Sequence, residues 1–132
     1  MESYMPREAQ KLTFNTDFRR AYNRGKCFRF PDVVVYINKN RTGTVRYGIT
    51  SSKKIGNAVT RNRARRVIRA AFYSSDIAVK KGYDIVFVAR SSTAGKKSGE
   101  LIPHIRKALS NYSPAANTDE TAADQGDPLL ST

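Results

Sequence analysis

Residues 53–72 read Lys-Lys-Ile-Gly-Asn-Ala-Val-Thr-Arg-Asn-Arg-Ala-Arg-Arg-Val-Ile-Arg-Ala-Ala-Phe, and their spacing describes a cationic device. At about 100° per residue, Ala64, Val67, Ile68 and Ala71 fall at i, i+3, i+4 and i+7, the apolar stripe of a helix that packs on a core. Arg61, Arg65 and Arg69 repeat at i, i+4 and i+8 on another side. Asn62 and Arg66 extend that side, and Arg63 flanks it. No Asp or Glu lies between Lys53 and Tyr73. Like charges at i, i+4 oppose helix formation, and solvated helix faces ordinarily mix signs. A helix that keeps these arginines without acids is suited to a polyanion, because the planar guanidinium fork matches phosphate oxygens and base edges. Ahead of it, the Ser51–Asn57 turn combines flexible backbone, Lys53, Lys54 and the positive end of a helix, a combination that suits phosphate.

The charge distribution points the same way. The chain has 132 residues and a formal charge of +13. Residues 1–112 carry all 24 Lys and Arg but seven acids, a balance of +17, whereas the last twenty residues carry four acids (Asp119, Glu120, Asp124, Asp127) and no base. Self-repulsion of this size has nucleic acid as its usual counterpart. An acidic membrane surface ranks below it. No run approaches the roughly 20 apolar residues of a spanning helix, and the basic helix carries Ala, Val and Ile opposite its arginines rather than large interfacial anchors. Met1–Leu12 has no apolar signal region. The single cysteine, Cys27, rules out an internal disulfide and fits a reducing cytosol. A cytoplasmic location is therefore expected.

The elements that must position the arginines read as a small α+β domain. Asn15 or Thr16 is expected to cap a short helix through about Arg24, with Phe18, Ala21 and Tyr22 at i, i+3 and i+4, and Gly25 is expected as its C′ stop. Val33–Ile37 is a β-branched strand. Asn38–Thr44 resembles a hairpin turn, and Val45–Thr50 a second strand. The basic helix spans about 57–73. After the Lys80-Lys81-Gly82 turn, Tyr83–Ala89 is the most apolar strand and is expected at the centre. Ser91–Lys97 reads as a loop, and a last helix covers about 99–111 with Leu101, Ile105 and Leu109 in register. The expectation is one mixed sheet of about four strands with three helices, and a βαβ crossover carrying the Arg-rich helix. Residues 1–112 form the basic domain. Residues 113–132 form an acidic tail with few large apolar groups, expected to be disordered. Met1–Lys11 reads as loose.

Catalytic chemistry is hard to find. One histidine, His104, and one cysteine give no zinc spacing and no nucleophile–base pair. The acids of residues 1–112 are scattered, and Gly82, Gly95 and Gly99 make no phosphate-binding loop of the nucleotide-hydrolase type. His104 reads as structural. No metal or cofactor is expected on protein motifs.

The segment Ser52–Arg69 closely resembles the signature of the protein subunit of bacterial ribonuclease P. The likeness extends upstream through Lys11-Leu12, Asp17-Phe18, Tyr22, Gly25 and Val34–Tyr36, and downstream through Ile85–Arg90 and the closing helix. The resemblance implies that the chain assists 5′ maturation of precursor tRNA. It would be the accessory protein of an endoribonuclease whose catalytic centre, with its magnesium ions, lies in a large RNA subunit, one protein per RNA. It implies a left-handed crossover, a hand that the general preference for right-handed crossovers does not suggest. It also implies residue roles. Arg61, Asn62, Arg63, Arg65, Arg66 and Arg69 would meet the RNA subunit. Phe18, Tyr22, Val34 and Tyr36 would form a cleft for the single-stranded 5′ leader. From their charge alone, Lys53 and Lys54 are expected to neutralise phosphates of the RNA subunit and Arg90 those of the leader. Tyr22 stands where the family often has Phe. The residues read alone agree, since aromatics above a basic sheet make a stacking platform for unpaired bases, although a plain core role is the competing reading for each ring.

Two rivals differ in class. A ribosomal-type structural RNA-binding protein accounts for the charge but not for the long Lys53–Arg69 signature. A DNA-binding regulator needs a helix immediately before the arginine helix, and Val45–Thr50 reads as strand.

Overall fold

In the computed structural model, which describes residues 3–114, the two β-branched runs Val33–Lys39 and Tyr83–Ala89 lie side by side and antiparallel. In chain order the elements are β1 (Ser3–Tyr4), β2 (Gln10–Lys11), α1 (Asn15–Arg24), β3 (Lys26–Arg29), β4 (Val33–Lys39), β5 (Val45–Thr50), α2 (Ala58–Ser74), β6 (Val79–Lys80), β7 (Tyr83–Ala89) and α3 (Ser98–Leu109). The main sheet has the order β2-β5-β7-β4-β3 and is mixed: β2, β5 and β7 are parallel, whereas β7, β4 and β3 alternate in direction. β1 and β6 form a separate antiparallel pair. α2 is the crossover between the parallel neighbours β5 and β7.

Strand alternation divides the side chains between two faces. Val33, Val35 and Ile37 of β4, Val45 and Tyr47 of β5, and Ile85 and Phe87 of β7 belong to the main core with α2 and α3. Ala64, Ile68, Ala71 and Phe72 of α2, and Leu101, Ile105 and Leu109 of α3, meet them there. The intervening residues face α1. That side holds a small cluster of Leu12, Ala21 and Val86, with Phe18, Tyr36 and Val88 packed on it half-buried.

The expected α+β class, three helices and central Tyr83–Ala89 strand are present. The strand pairing differs from the hairpin expectation, because β4 and β5 are not partners and β7 lies between them. Ile85, Val86 and Phe87 are all fully buried, so this strand is apolar on both faces and buries them only in a central slot. The Asn38–Thr44 connection instead clasps the Lys80-Lys81-Gly82 turn. Asn40 N–H donates to the Gly82 carbonyl and Gly82 N–H to the Thr44 carbonyl, each at 2.8 Å. Gly82 has φ +94°, where a side chain would be strained.

Two local expectations also change. Asn15 and Thr16 are the first residues of α1, and the N-cap is Phe14, with no side-chain cap. Gly25 ends α1 in extended conformation, φ −77°. It is there for space: a Cβ would lie 2.5 Å from the Ala21 carbonyl oxygen. The N-terminal stretch read as loose holds β1, a 3-10 turn at Pro6–Glu8 and β2. β2 and β3, two and four residues long, bring the main sheet to five strands. The expected disorder of the acidic tail concerns, from residue 115 on, positions outside the described residues. Ser113, at its start, is buried.

Candidate nucleic-acid interface

α2 begins where Asn57 caps it, the side-chain oxygen accepting from Thr60 N–H at 2.9 Å. Before the cap, Lys53 and Lys54 are exposed in a 3-10 turn, Lys53–Ile55, that Gly56 closes at φ +146°. With Ala64, Ile68, Ala71 and Phe72 inward, the arginines spread over three sides of the helix. Arg61 and Arg65 lean over one margin and are half-buried. Arg65 donates through Nη1 to Ser51 Oγ at 2.8 Å and through Nη2 to Asn62 Oδ1. Ser51 Oγ donates in turn to the Arg61 carbonyl at 3.4 Å. Arg63 points to the other margin, where its Nε donates to the Ala94 carbonyl at 2.8 Å. Both margins are thus stapled to the fold.

Arg66 is exposed and Arg69 half-buried, and both approach a third guanidinium. With Arg7, they line a cavity of about 400 Å³ against Tyr73 and Ser74. Arg7 lies 4.8 Å above the centre of the Tyr73 ring, close enough for cation–π attraction. The Tyr73 and Tyr47 hydroxyls are 2.6 Å apart. Burial, then this bond, pushes the Tyr47 phenol up to about 12, so it stays neutral. Arg69 Nε is buried with no hydrogen-bond partner among the described residues. Arg7 comes from the N-terminal turn, and no periodicity in the sequence ties it to α2.

The second assembly lies across the sheet, under α1. Phe18 sits on β5 where Gly48 leaves room: a Cβ at position 48 would lie 2.4 Å from two Phe18 ring carbons. Tyr22, 38% exposed, meets Tyr36 edge-to-face at 5.0 Å, and its hydroxyl is 3.3 Å from Thr50 Oγ1. Strand register places Val34 beside Val88, and Val88 beside Thr50. These form the floor of a trough that has the two tyrosine rings at its side. Burial, then the neighbouring Cys27, raises the Tyr36 phenol above its usual value. Exposed Arg29 lies beside Val34 in register and was also missed; its place depends on β3, too short for pattern reading. Arg90 follows β7 directly and is held at that end of the sheet, its Nη1 donating to the Phe30 carbonyl at 3.1 Å.

The structure therefore brings Phe18, Tyr22, Val34 and Tyr36 together, with Arg90 at their rim. It does not gather Arg61, Asn62, Arg63, Arg65, Arg66 and Arg69 on one side of α2. The two assemblies meet at the end of β5, where Thr50 contacts Tyr22 and Ser51 contacts Arg65. His104 is structural, as expected: its Nδ1 is 2.8 Å from buried Asp32 and its ring stacks on Phe30 at 4.8 Å. Among the described residues no group of three or more His, Cys, Asp or Glu is placed to hold a metal ion, and no helix is long and apolar enough to cross a membrane.

Comparison with known proteins agrees with this geometry. The family model described as Ribonuclease P matches residues 5–113. A ribonuclease P protein component from Clostridioides difficile (strain 630) is 49% identical over 83 residues, 62% of this chain and 73% of the relative. One from Thermoanaerobacter sp. (strain X514) is 42% identical over 105 residues, 80% of this chain and 90% of the relative. Among solved structures, the Staphylococcus aureus RNase P protein superposes with TM-score 0.60 at 33% identity, covering 76% of this chain and 92% of that one. The Thermotoga maritima RNase P protein gives 0.62 at 25% identity, covering 76% and 94%. Sequence, fold and arginine helix coincide, and the chain belongs to the bacterial ribonuclease P protein family.

Proposed function

We propose that this chain binds the catalytic RNA subunit of ribonuclease P through the outward side of α2 and holds the 5′ leader of precursor tRNA in the trough under α1. The observation that carries this reading is the trough: Tyr22, 38% exposed, and half-buried Tyr36 stand edge-to-face beside a Val34–Val88 floor, next to a helix whose arginines have no acid among them. An unpaired strand is the ligand that stacks on such rings, at about 1–3 kcal/mol per base. Phosphates suit the guanidinium cavity of Arg7, Arg66 and Arg69 at the C-terminal half of α2, and Lys53 and Lys54 add charge at its other end, in the turn before the helix.

In this reading the protein contributes position and charge, one copy per RNA, in the cytoplasm. The RNA subunit supplies the catalytic centre, and magnesium there supplies the electrostatic stabilisation of phosphodiester hydrolysis. The described part of the protein offers no matching carboxylate cluster, so no step is assigned to its side chains. Arg63 and Arg65 act on RNA partly by fixing the helix, since their guanidinium hydrogen bonds go to Ala94 and to Ser51 and Asn62.

The test is reconstitution with the RNA subunit, followed by binding and cleavage of leader-bearing precursor at near-physiological magnesium. The protein alone is expected to cleave nothing. In the complex, Phe18→Ala and Tyr22→Ala are expected to weaken precursor with a leader of several nucleotides by about 1–3 kcal/mol where a base stacks, and to leave mature tRNA unchanged. Equal losses for both RNAs would return the two rings to a packing role.

A further inference from the structure

α1 has a second flank. Phe18 and Tyr22 lean to the trough, whereas Asp17, Arg20 and Arg24 lean the other way and line a groove of about 730 Å³ against the end of β4 and the turn that follows it. Its floor is an ion network. Arg46 donates from Nε and Nη2 to both oxygens of Asp84, at 2.8 and 2.7 Å, and reaches Asp17 at 3.5 Å. Asn40 Nδ2 donates to Asp84 at 2.7 Å, and Arg20 reaches Asp17 at 3.4 Å. Both carboxylates are therefore answered from within the fold. The rim is not: Arg24, Lys39 and Arg41 are exposed and form no ion pair among the described residues.

We propose that this groove is a second substrate site, gripping the sugar–phosphate backbone of precursor tRNA through Arg24, Lys39 and Arg41. The proposal rests on the assignment of the trough to the leader and extends it. Three observations carry it. The groove has cations on its rim and amide and hydroxyl groups from Asn38, Asn40 and Thr42 in its wall, but no aromatic ring. It is suited to phosphates and ribose hydroxyls, not to stacked bases. It shares the α1 face with the trough and is separated from it by a single helix, about 10 Å across. The arginines of α2, assigned to the RNA subunit, belong to the helix packed on the opposite face. The groove is thus on the substrate side. Because Asp17 and Asp84 already pair with Arg46 and with the exposed Arg20, the three rim residues are the charges left without an acid to meet a ligand.

The experiment uses the full chain reconstituted with the RNA subunit. The triple variant Arg24→Gln, Lys39→Gln, Arg41→Gln spares the buried network. Arg66→Gln and Phe18→Ala serve as controls. Affinities are measured across a salt series for the RNA subunit, mature tRNA, and precursors with short and long leaders. The triple variant is expected to weaken precursor binding roughly tenfold near 0.1 M salt and to flatten the log–log salt slope by about 0.7–0.9 for each phosphate contact removed. Binding of the RNA subunit is expected to stay unchanged. Loss confined to long leaders places the distal leader in the groove, and loss that includes mature tRNA places the tRNA body there; either supports a backbone grip. Loss confined to the RNA subunit overturns the proposal, as does unchanged precursor affinity. A rise in affinity also overturns it, and gives the groove to the chain's own acidic segment around Asp119–Asp127. If Phe18→Ala and Arg66→Gln also leave every RNA unaffected, the functional assignment itself fails.

Discussion

On the face covered by α2 and α3, Phe72, Phe87, Ile68, Leu101, Ile105 and Leu109 are all fully buried. Under α1 the buried apolar groups are Leu12, Ala21 and Val86, and the larger side chains around them, Phe18, Tyr36 and Val88, remain half-open. Two helices close one face and a ten-residue helix straddles the other. Hydrophobic stabilisation follows buried apolar area, so the first face carries the fold. The second is held largely by the Arg46 network and one aromatic seat, and it keeps a groove on each flank of α1. A protein this small has few ways to expose an aromatic surface without opening its core. Here the solution is to place the core and the aromatic surface on opposite sides of one sheet.

The largest effect tests that division directly. Phe72 is ringed by Tyr47, Tyr73 and Phe87 at 5.0–6.1 Å. Phe72→Ala is expected to cost about 3–5 kcal/mol by cavity formation, read as a shift in the urea midpoint. Tyr36→Ala on the open face is expected to cost clearly less. Equal costs would break the comparison.

Arg46→Met asks whether the open face depends on its ions. Asp84 is 2% exposed and Asp17 8%, and the substitution leaves both without their central cation. A buried charge stripped of its partner typically costs about 3–5 kcal/mol. A double replacement, Arg46→Met with Asp84→Leu, is expected to recover part of the loss in the same denaturation assay. An Arg46→Met protein as stable as the parent would show that the network is incidental.

These features differ in how far the sequence reveals them. The apolar stripe of α2 and the central β7 are local patterns, visible within one segment, and both are found where expected. The insertion of β7 between β4 and β5 is not local: the turn chemistry of Asn38–Thr44 suits a hairpin, and the burial demand of Ile85–Phe87 overrides it. The Arg46–Asp84 bond joins residues 38 positions apart, and nothing in either segment announces the other. β2 and β3 are too short for period-2 counting, so Arg29 had no strand to place it. The arginine helix was legible from charge and spacing, whereas gathering Phe18, Tyr22, Val34 and Tyr36 into one cleft came from family resemblance. What holds that cleft open, Gly48 under Phe18, becomes apparent in three dimensions.

Gly48 gives the next test. A methyl group there would lie 2.4 Å from the Phe18 ring. Gly48→Ala is expected to displace the ring and cost about 1–3 kcal/mol of stability through overpacking. It is also expected to weaken leader-bearing precursor more than mature tRNA. The double variant Gly48→Ala, Phe18→Leu should regain stability without regaining leader preference. Regained preference would mean that the trough reads the leader without Phe18.

The smallest stability effects lie on α2, where they separate arginines that hold the helix from arginines left exposed. Arg65 bonds Ser51 and Asn62, so Arg65→Ala is expected to lose roughly 0.5–1.5 kcal/mol of folding stability, the usual worth of such bonds. Arg66 is exposed beside Arg7 and Arg69, and Arg66→Ala is expected to stay within about 0.5 kcal/mol of the parent. Binding to the RNA subunit should rank them in the reverse sense. Arg66→Ala, and with it Arg7→Ala, should flatten the salt slope by about 0.7–0.9 per lost phosphate contact. Arg65→Ala should change affinity mainly through the ordering of the helix, with the slope nearly preserved. The slope carries the discrimination, because a loosened helix binds more weakly at every salt concentration, whereas a missing cation binds more weakly by an amount that salt erases. An Arg66→Ala protein with an unchanged slope would move the RNA contact off the outward side of α2 and onto its stapled margins.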